Sequence, residues 1–454
     1  MDVSVVILAA GQGKRMCSDL PKILQPLAGR PLLSHVIGTV RALDPKRICV
    51  VYGHGGDLVK EAFAGENLTW VLQAEQLGTG HAVMQAMPDI GADDIVLILC
   101  GDVPLVRTET IAPLITVAES DKLAILTTDL VDPGGYGRIV RDIDSLVMAI
   151  VEEKDATDDQ KAITEINTGL MACRAPLLSQ WLQRIDSDNA QGEYYLTDIV
   201  GCAIEDGISV VPVNADHPAE VLGINDKKQL AEAERNYQAS VIDALLEQGV
   251  TIIDPQRVDV RGKLTCGRDV VIDINTIFNG DVDLGDGVQV GANTVISDST
   301  IGAATRIYPN CILDQAIIGA ACEIGPFART RPGVEMDDQS KLGNFVEVKK
   351  SRIGKGSKVN HLTYIGDTTI GERVNVGAGT ITCNYDGAYK HPTVIGDGAF
   401  IGSGVELVAP INVGAGATIG AGATISKDAP AGELTVERGR QKVIKDWKRP
   451  SKDK

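Results

Sequence analysis

The second half of the chain repeats an aliphatic residue followed by glycine, in a rhythm of six residues. The pairs are Ile318-Gly319, Ile324-Gly325, Leu342-Gly343, Ile370-Gly371, Val376-Gly377, Ile395-Gly396, Ile401-Gly402, Val413-Gly414 and Ile419-Gly420. A period of six is too short for a helical repeat, and it predicts a parallel β-helix in which three hexads form one triangular coil. We expect the aliphatic side chain to point inward and the glycine to help the chain turn the corner.

The hexad rhythm has local irregularities. It builds up from about residue 251, slips by one residue at 284–301 and at 342–353, and breaks near 382–393, where a loop is expected to leave the coil. The last stretch, 438–454, is basic and lacks the repeat.

The first half of the chain follows a different pattern. Continuous apolar runs at 3–10, 47–52 and 95–99 predict buried strands, and the stretch near 31–43 predicts a helix. Buried strands that alternate with helices indicate an α/β fold with a mainly parallel sheet. Residues 226–248 have helical periodicity and contain no Gly or Pro, which predicts a long linker helix.

Length and composition agree with two cores of different character. The chain has 454 residues, and we expect one domain at 1–227, a linker helix at 228–248 and a β-helix at 249–454. Only 4% of the residues are aromatic and 49 are glycines, as suits an aliphatic core with small residues at corners. The net charge of −18 argues against a nucleic-acid partner, so anionic ligands must meet local basic groups.

Nine scattered cysteines without a CxxC pair indicate reduced thiols and a cytoplasmic protein, rather than disulfides or a zinc site. The apolar start of the chain carries Asp2 where a signal peptide has positive charge, so we interpret it as a buried strand. No run approaches the roughly 18 apolar residues that span a bilayer, and we expect no membrane partner.

A glycine-rich loop directly after the first predicted strand carries the sharpest local motif. Its sequence is Leu8-Ala9-Ala10-Gly11-Gln12-Gly13-Lys14-Arg15-Met16, followed by Pro21-Lys22. Backbone N–H groups in such a loop can wrap phosphates, and Lys14, Arg15 and Lys22 supply cations. The motif lacks the first Gly and the Ser or Thr of a Walker A loop, and Met16 stands at the third glycine position of a dinucleotide fingerprint.

This loop and several segments that follow it in order resemble the sugar-nucleotide pyrophosphorylases, which are nucleotidyltransferases with a Rossmann-like domain. The other matching segments are 73–82, 101–104, 135–138, 151–152, 165–169 and 223–225. The resemblance implies uridylyl transfer from UTP to a sugar 1-phosphate, with Arg15 and Lys22 as catalytic cations. Because this reaction brings anions together, catalysis rests on positioning and charge neutralisation.

The same resemblance implies a set of binding residues and a metal. The implied contacts to UTP and the UDP-sugar are Leu8, Ala9, Ala10, Gly11, Lys22, Gln73, Gly78, Thr79, Cys100, Gly101, Asp102, Gly137, Glu152, Asn167 and Asn225. Mg²⁺ is the implied cofactor, held by Asp102 and Asn225, with phosphates and water completing its shell. The chain departs from the family at Lys14, where Thr is usual, and at Cys100, where the closest relatives have an aromatic residue.

Hexad β-helices with this spacing resemble the left-handed β-helix acyltransferases. An amine that attacks a thioester needs a general base, and histidine is well suited to that role near neutral pH. The repeat region holds two histidines, and His361 lies inside the coils while His391 lies in the break. The nearby cations Arg331 and Lys349 are able to hold a sugar phosphate.

Together the two halves resemble, over essentially the whole chain, the family of bifunctional bacterial UDP-N-acetylglucosamine pyrophosphorylases/glucosamine-1-phosphate N-acetyltransferases. The resemblance implies acetyl transfer from acetyl-CoA to glucosamine 1-phosphate with His361 as general base. Uridylyl transfer from UTP to N-acetylglucosamine 1-phosphate then gives UDP-N-acetylglucosamine and pyrophosphate, a supply for cell-wall and lipopolysaccharide synthesis. The family also implies a homotrimer with acyl sites between subunits.

The resemblance assigns two groups of residues to the acetyl-transfer site. The implied sugar-phosphate contacts are Arg331, Lys349, Tyr364 and Asn375. The implied acetyl-CoA contacts are Ala378, Asn384, Tyr385, Ser403, Ala421 and Arg438. The basic residues of the tail are Arg438, Arg440, Lys442, Lys445, Lys448 and Arg449. The tail is open to two interpretations, as a solvated end or as a cluster that offsets the phosphates of coenzyme A.

Three alternatives stay open at the level of sequence. A monofunctional pyrophosphorylase could use its β-helix only as a trimerisation or regulatory module, but this treats His361, Arg331 and Lys349 as coincidence. A metal hydratase of the carbonic-anhydrase type needs about three imidazoles on zinc, whereas the repeat region holds two histidines. The third alternative is a non-enzymatic scaffold with degenerate sites, against which the intact residues Arg15, Lys22, Asp102 and His361 argue.

Overall fold

The computed structural model describes residues 1–11, 13–53, 55–439 and 441–449. The chain forms two compact units, Met1–Tyr237 and Gln238–Lys454. The division falls inside the helix Lys227–Glu247, where the sequence predicts a linker helix at 226–248. The domain limits 1–227, 228–248 and 249–454 stay a prediction about which residues belong to which activity.

The first unit is built on a nine-stranded, mainly parallel sheet. Its strands are Val3–Ala9, Arg47–Tyr52, Thr69–Leu72, Ile95–Cys100, Leu123–Asp129, Arg138–Arg141, Val147–Val151, Glu165–Arg174 and Val210–Asn214. The strand Val3–Ala9 pairs in parallel with Arg47–Tyr52 on one side and Ile95–Cys100 on the other. These are the three strands predicted from apolar runs. Glu165–Arg174 is antiparallel to its neighbours in the sheet, and Pro26–Leu27 and Arg30–Pro31 form a separate small ribbon.

Helices cover both faces of this sheet, as expected for an α/β fold. The α-helices are Leu32–Arg41, Gly56–Ala62, Thr79–Ala86, Thr108–Ala118, Asp158–Lys161, Ala175–Leu182, Ile199–Glu205 and Lys227–Glu247. Short 3₁₀ helices of the first unit are Lys14–Met16, Lys22–Leu24, Met87–Asp89, Leu196–Asp198 and Pro218–Glu220, and a further one, Pro255–Arg257, lies in the second unit. The helix predicted near 31–43 is Leu32–Arg41, and it buries Leu33, Val36, Ile37 and Val40 at helical spacing.

The second unit is a left-handed parallel β-helix whose coils contribute strands to two long sheets. The 11-stranded sheet contains Thr251–Ile252, Val271–Ile272, Gln289–Val290, Arg306–Ile307, Glu323–Ile324, Lys341–Asn344, Lys358–His361, Asn375–Val376, Phe400–Ile401, Thr418–Ile419 and Leu434–Thr435. The 17-stranded sheet contains Val258–Cys266, Thr276–Leu284, Val295–Ser297, Thr300–Ile301, Ile312–Asp314, Ala316–Ile318, Arg329–Thr330, Val334–Met336, Glu347–Lys349, Ser351–Ile353, Tyr364–Gly366, Thr368–Ile370, Ile381–Cys383, Thr393–Ile395, Glu406–Val408, Ile411–Val413 and Thr424–Ile425.

The inward position of successive coils is aliphatic and buried, as predicted. One column consists of Ile272, Val290, Ile307, Ile324, Leu342, Val359, Val376, Ile401 and Ile419, each paired with the next across the sheet. Burial of such a continuous column supplies the main stabilisation of a solenoid, because each coil covers its neighbours.

The glycines of the repeat serve a different purpose from the predicted one. Of the nine glycines in the aliphatic–glycine pairs, which all lie in the described part of the chain, Gly325 alone has a positive φ, of 96°. A Cβ on Gly377 would lie 2.6 Å from the backbone of Gly402, and one on Gly402 would lie 2.5 Å from the nitrogen of Ala421. Glycine is therefore needed because neighbouring coils approach closely at this position, and left-handed residues elsewhere in the coil turn the corners.

The predicted irregularities fall where the structure changes coil length. Ile272 pairs with Val290 eighteen residues on, whereas Val290 pairs with Ile307 after seventeen. Between Ile381–Cys383 and Thr393–Ile395 a loop leaves the coil, held by an antiparallel bridge between Tyr385 and Lys390. This confirms the predicted break.

The described part of the chain after Thr435 contains neither helix nor strand, in agreement with the loss of the repeat. Arg440 of the basic tail lies outside the described residues, as does Gln12 of the glycine-rich loop. None of the helices in the described ranges combines the length and the apolarity needed to cross a membrane.

Candidate active sites

In the first unit, the carboxyl ends of two neighbouring strands open onto a cavity of about 530 Å³. The N–H of Gly101 donates to the carbonyl of Leu8 at 2.9 Å, so the loops after the strands Val3–Ala9 and Ile95–Cys100 face the same space. The described residues that line the cavity are Leu8, Ala9, Ala10, Gly11, Lys14, Lys22, Ile23, Gln73, Gln76, Gly78, Thr79, Ala82, Cys100, Asp102 and Glu193. Of the predicted nucleotide contacts, those outside this lining are Gly101, Gly137, Glu152, Asn167 and Asn225.

Hydrogen bonds hold the segment 73–82, one of those that resemble the pyrophosphorylases, at the edge of this cavity. The buried Gln73 amide donates to the carbonyl of Gly78 at 3.0 Å. Gly78 has φ +108°, and a Cβ there would lie 2.6 Å from the carbonyl oxygen of Tyr194, so glycine alone fits. Thr79 Oγ1 accepts a hydrogen bond from the N–H of Leu196 at 3.0 Å and begins the helix Thr79–Ala86.

Three predicted residues meet at one point, and two of them, Lys22 and Asp102, line the cavity. The Lys22 ammonium bonds to the Asp102 carboxylate and donates to Asn225 Oδ1 at 2.9 Å. The side chains of Lys22 and Asp102 are 11% and 25% exposed, so the contact is shielded from bulk solvent. Because an ammonium group is attracted to the same oxygen donors as a metal ion, the arrangement marks a place for a cation.

The donors at this point fit the magnesium ion that the sequence implies. A carboxylate and an amide oxygen are hard ligands, and Mg²⁺ is usually bound by one or two such groups together with substrate phosphates and water. Among the described residues there is no group of three or more His, Cys, Asp or Glu side chains that could hold a metal. A metal at Asp102 and Asn225 would therefore depend on the substrate to complete its shell.

A second cluster holds Gly137, Glu152 and Asn167, which are three of the residues predicted to contact UTP and the UDP-sugar. The N–H of Asn167 donates to the carbonyl of Gly137 at 2.8 Å, which joins two of them. A Cβ on Gly137 would lie 3.4 Å from both Glu152 carboxylate oxygens, so the carboxylate faces this glycine directly. Burial raises the pKa of Glu152, and a 3.0 Å hydrogen bond from Thr197 Oγ1 opposes that rise.

Arg15 and Cys100 lie differently in relation to the cavity. Arg15 is exposed in the 3₁₀ helix Lys14–Met16 and is absent from the described lining, to which Lys14 contributes. Cys100 faces the cavity, where burial, and next the nearby Asp102 carboxylate, raise the pKa of its thiol to about 12. Its thiol is therefore neutral at ordinary pH, and a neutral thiol is a weak nucleophile.

In the second unit, His361 lies at the end of the strand Lys358–His361, where the coil turns. Its carbonyl accepts hydrogen bonds from Thr363 Oγ1 at 2.6 Å and from the N–H of Gly379 at 3.1 Å, which fixes the backbone. The imidazole is exposed, and within the described ranges no hydrogen bond or ion pair joins it to another side chain. The ring is thus free to meet a ligand.

Three cationic side chains of the second unit, Arg331, Lys349 and Lys390, lie close together. The N–H of Arg331 donates to the carbonyl of Val348 at 2.9 Å, which places Arg331 beside Lys349 on successive coils. Lys390 approaches from the loop that leaves the coil. A hydrogen bond with Lys390 lowers the pKa of Lys349 most, and repulsion from the Lys390 ammonium and, more weakly, from the Arg331 guanidinium lowers it further. Mutually repelling cations at an exposed surface are suited to an anion such as a sugar phosphate.

The predicted sugar-phosphate residues come from both sheets. Lys349 and Tyr364 lie on strands of the 17-stranded sheet, where Glu347 pairs with Tyr364. Asn375 lies in the 11-stranded sheet and pairs with Lys358, on the same strand as His361. The corner of the coil that follows His361 therefore separates Lys349 and Tyr364 from Asn375.

The predicted acetyl-CoA residues follow one column along the solenoid. The N–H of Gly404 donates to the carbonyl of Ala378 at 2.7 Å, and that of Gly422 donates to the carbonyl of Ser403 at 2.9 Å. Ala378, Ser403 and Ala421 therefore occupy equivalent positions on successive coils. A Cβ on Gly420 would lie 3.7 Å from Arg438 Nη2, so Arg438 lies at the end of the same column.

The two predicted residues in the loop differ in exposure. Asn384 is buried, and its amide donates to Asp367 Oδ2 at 2.6 Å, so it anchors the loop to the coil. Tyr385 is exposed, and its hydroxyl donates to the carbonyl of Gly387 at 2.5 Å. A contact of either residue with coenzyme A stays a prediction.

Several residues that the folded chain brings to these sites are absent from the contacts predicted from the sequence. Gln76 lines the nucleotide cavity and donates to the carbonyl of Ala10 at 2.6 Å. It lies within the segment 73–82 that resembles the pyrophosphorylases, but it was not among the predicted contacts. Glu193 also lines this cavity. Lys390 joins the cation cluster, and its position in the break of the repeat was the signal that could have identified it.

Comparisons with known proteins agree with the two-part architecture. Residues 5–166 match a family profile described as the MobA-like NTP transferase domain, and residues 392–427 match the bacterial transferase hexapeptide (six repeats). A solved structure of a UDP-glucose pyrophosphorylase complexed with UDP-glucose is 14% identical, with a TM-score of 0.45, and covers 53% of this chain and 100% of that chain. A likeness this weak carries no argument about function.

Several curated relatives that cover the whole chain carry the name bifunctional protein GlmU. The protein from Azoarcus sp. (strain BH72) is 56% identical over 452 residues, which is 100% of both chains. The protein from Aromatoleum aromaticum is 55% identical over 452 residues, covering 100% of this chain and 99% of the relative. The protein from Ralstonia pickettii (strain 12J) is 56% identical over 455 residues, with the same coverage.

Proposed function

Because this chain belongs to the family of bifunctional GlmU proteins, we propose that it makes UDP-N-acetylglucosamine through two transfer reactions. The β-helix transfers an acetyl group from acetyl-CoA to glucosamine 1-phosphate. The first unit then transfers a uridylyl group from UTP to N-acetylglucosamine 1-phosphate and releases pyrophosphate. The supporting observation is that Lys22, Asp102 and Asn225 meet in one unit while Arg331, Lys349 and Lys390 converge in the other.

In the uridylyl reaction, a phosphate oxygen of the sugar phosphate attacks the α-phosphorus of UTP, and the bond to the pyrophosphate oxygen breaks. When bound by Asp102 and Asn225, Mg²⁺ would neutralise charge on the phosphates. Lys22 exchanges its contact with Asp102 for the triphosphate, since polyanionic UTP attracts the ammonium more strongly than one carboxylate. Arg15, exposed beside the cavity, stabilises the leaving pyrophosphate.

In the acetyl reaction, the amine of glucosamine 1-phosphate attacks the thioester carbonyl of acetyl-CoA. The cations Arg331, Lys349 and Lys390 hold the phosphate, so that the amine is presented to the His361 imidazole. His361 accepts the proton that the nitrogen loses as the C–N bond forms. The C–S bond then breaks, and the imidazolium returns the proton to the departing thiolate.

The hexapeptide repeats favour an oligomer, and we propose a homotrimer in which neighbouring β-helices share this site. Phe327, Phe345 and Leu362 form a column, here called the corner ladder, immediately beside His361. They are 50%, 56% and 63% exposed, and their φ angles are 54°, 55° and 48°. Bulky residues in the left-handed region cost free energy, and a second copy of the chain that covers them would offset that cost.

The protein is proposed to act in the cytoplasm, in keeping with nine cysteines that are all free thiols. A monofunctional pyrophosphorylase is not favoured, because the bifunctional relatives match the β-helix as well as the first unit. The cation cluster of Arg331, Lys349 and Lys390 would have no purpose in a module that only joins subunits.

A reciprocal pair of substitutions tests the proposal. We expect His361→Ala to lower acetyl transfer by at least about 100-fold, because a general base typically contributes 10²–10⁴-fold, and to leave uridylyl transfer unchanged. Asp102→Ala should abolish uridylyl transfer and spare acetyl transfer. The assay follows UDP-N-acetylglucosamine from UTP, acetyl-CoA, glucosamine 1-phosphate and Mg²⁺, and each reaction separately. A folded variant that loses both reactions would refute the two-site proposal.

A further inference from the structure

The segment Gly223–Asn225, which ends in the proposed metal ligand Asn225, is held against the other proposed ligand. The N–H of Ile224 donates to the carbonyl of Asp102 at 2.9 Å, and the Ile224 side chain is buried. A Cβ on Gly223 would lie 3.7 Å from Asp102 Oδ2, so the backbone passes close to the carboxylate. These contacts fix the beginning of the segment but leave the backbone N–H of Asn225 to be satisfied elsewhere.

The first turn of the helix Lys227–Glu247 satisfies that N–H. Asn225 donates its backbone N–H to Gln229 Oε1 at 2.7 Å. The N–H of Gln229 in turn donates to Asp226 Oδ1 at 2.9 Å, so the residue before the helix caps it.

This arrangement is a capping box shifted by one residue. In the usual form, the side chain at the third helical position bonds to the backbone N–H of the capping residue. Here Gln229 occupies the third helical position and reaches one residue further, to Asn225. A bond that ordinarily serves only the helix therefore holds a residue of the active site.

We propose that Gln229 is a positioning residue for uridylyl transfer, which acts through Asn225 on the binding of the divalent metal. This inference rests on the proposed function of the first unit. Mg²⁺ demands near-octahedral geometry with oxygen ligands at 2.0–2.1 Å. Its affinity depends on the partners that orient the ligands, and loss of such a partner typically costs 10- to 100-fold. Without the acceptor on Gln229, the backbone of Asn225 is released, and the distance between its side-chain oxygen and Asp102 is no longer fixed.

The test compares two substitutions at this position in the full chain. Gln229→Met keeps the length of the side chain but removes the acceptor, whereas Gln229→Glu keeps an acceptor oxygen. We expect the methionine variant to need about 10-fold more Mg²⁺ for half-maximal uridylyl transfer, with little loss at saturating metal. The glutamate variant should stay within about 3-fold of the parent. Acetyl transfer should be unchanged in both variants, which reports that the β-helix is intact, and full uridylyl transfer at saturating Mg²⁺ reports that the first unit is folded.

A binding measurement separates metal affinity from turnover. Mn²⁺ is titrated into each variant with UDP-N-acetylglucosamine present, and the free ion is followed by electron paramagnetic resonance. The methionine variant should bind Mn²⁺ about 10-fold more weakly than the parent. Lys228→Ala, an exposed position in the same helical turn, is the matched control and should bind normally. Gln229→Asn, whose amide is one methylene too short to reach Asn225, keeps the test decisive where the methionine variant fails to fold.

Asn225→Ala distinguishes the two ways in which the test can fail. If Asn225→Ala weakens Mn²⁺ binding but Gln229→Met binds and turns over like the parent, the positioning inference is overturned and the proposed function stands. If Asn225→Ala itself leaves metal binding and uridylyl transfer intact, the assignment of Asn225 in the proposed function is wrong.

Discussion

Asp198 is a carboxyl group whose ionisation the fold opposes. It ends the 3₁₀ helix Leu196–Asp198 and lies close to Glu152. Burial, followed by repulsion from Asp186, Glu152 and Asp155, raises its pKa from 3.8 to about 6. Because the folded chain holds this proton more tightly than the unfolded chain, the contribution of Asp198 to stability falls as pH rises from about 4 to about 6.

Replacing this group should therefore stabilise the first unit at neutral pH. We expect Asp198→Asn to raise the free energy of unfolding at pH 7.5 by at most about 3 kcal/mol, since one pKa unit corresponds to about 1.4 kcal/mol. The gain should shrink as pH falls through 6 and vanish near pH 4. The measurement is the pH dependence of the thermal transition that UTP and Mg²⁺ shift. Asp188→Asn, which removes an exposed charge nearby, should give no such pH dependence, and a pH-independent gain for Asp198→Asn would contradict the assignment.

The helix Lys227–Glu247 shows at the scale of an element how one stretch of sequence serves two cores. Its first turns belong to the first unit, where Ala233 is buried with Met16, Leu27 and Leu32. Its last turns belong to the second unit, where Ile242 and Leu245 join the core of the β-helix. The helix therefore carries separate apolar patches toward its two ends, one for each core.

Gln238 joins this helix to the first full coil of the β-helix through two hydrogen bonds. Its buried amide donates to the carbonyl of Val260 at 2.9 Å and accepts from the N–H of Val260 at 2.8 Å. We expect Gln238→Leu to destabilise the second unit by about 1–3 kcal/mol, because both backbone groups of Val260 lose their partner while buried. Urea denaturation followed through acetyl transfer measures this loss. Gln248→Leu, at an exposed position, should leave the midpoint unchanged, and equal midpoints for the two variants would argue against the role of Gln238.

At the scale of the whole molecule, the proposed homotrimer would link assembly to acetyl transfer through the corner ladder. The rings of Phe327 and Phe345 stack at 5.2 Å between centroids, and Leu362 continues the column beside His361. We expect Phe345→Asp to reduce the oligomer to smaller species, since a buried unpaired charge at an interface is strongly unfavourable. Acetyl transfer should fall with it, while uridylyl transfer should be retained.

Light scattering coupled to gel filtration, with both assays on the same fractions, checks this prediction. Ile253→Asp places the same charge on an exposed residue in the first coil and should leave the oligomer intact. An unchanged oligomer with full acetyl transfer in Phe345→Asp would show that the corner ladder is not part of the interface.

The accuracy of the sequence prediction varied with the kind of feature. The strands Val3–Ala9, Arg47–Tyr52 and Ile95–Cys100 and the helix Leu32–Arg41 were predicted to within two residues at either end, because burial leaves a direct trace in apolar periodicity. The predicted reason for the glycines of the repeat, that they help the chain turn the corner, was wrong. Close approach between coils is a contact between distant residues, and one repeat considered by itself does not reveal it.

The sequence by itself determined the two architectures and the family, because hexad spacing and motif order are properties of the linear chain. Only the tertiary structure decided which polar groups meet. Lys22 lies 80 residues from Asp102 and 203 from Asn225, and the crossovers of the sheet bring the three together. Lys390 reaches Lys349 because a loop leaves the coil, and Gln229 holds Asn225 because a helix begins there. Hydrophobic periodicity along the chain indicates which side chains are buried, whereas contacts between residues far apart in sequence depend on the topology of the folded chain.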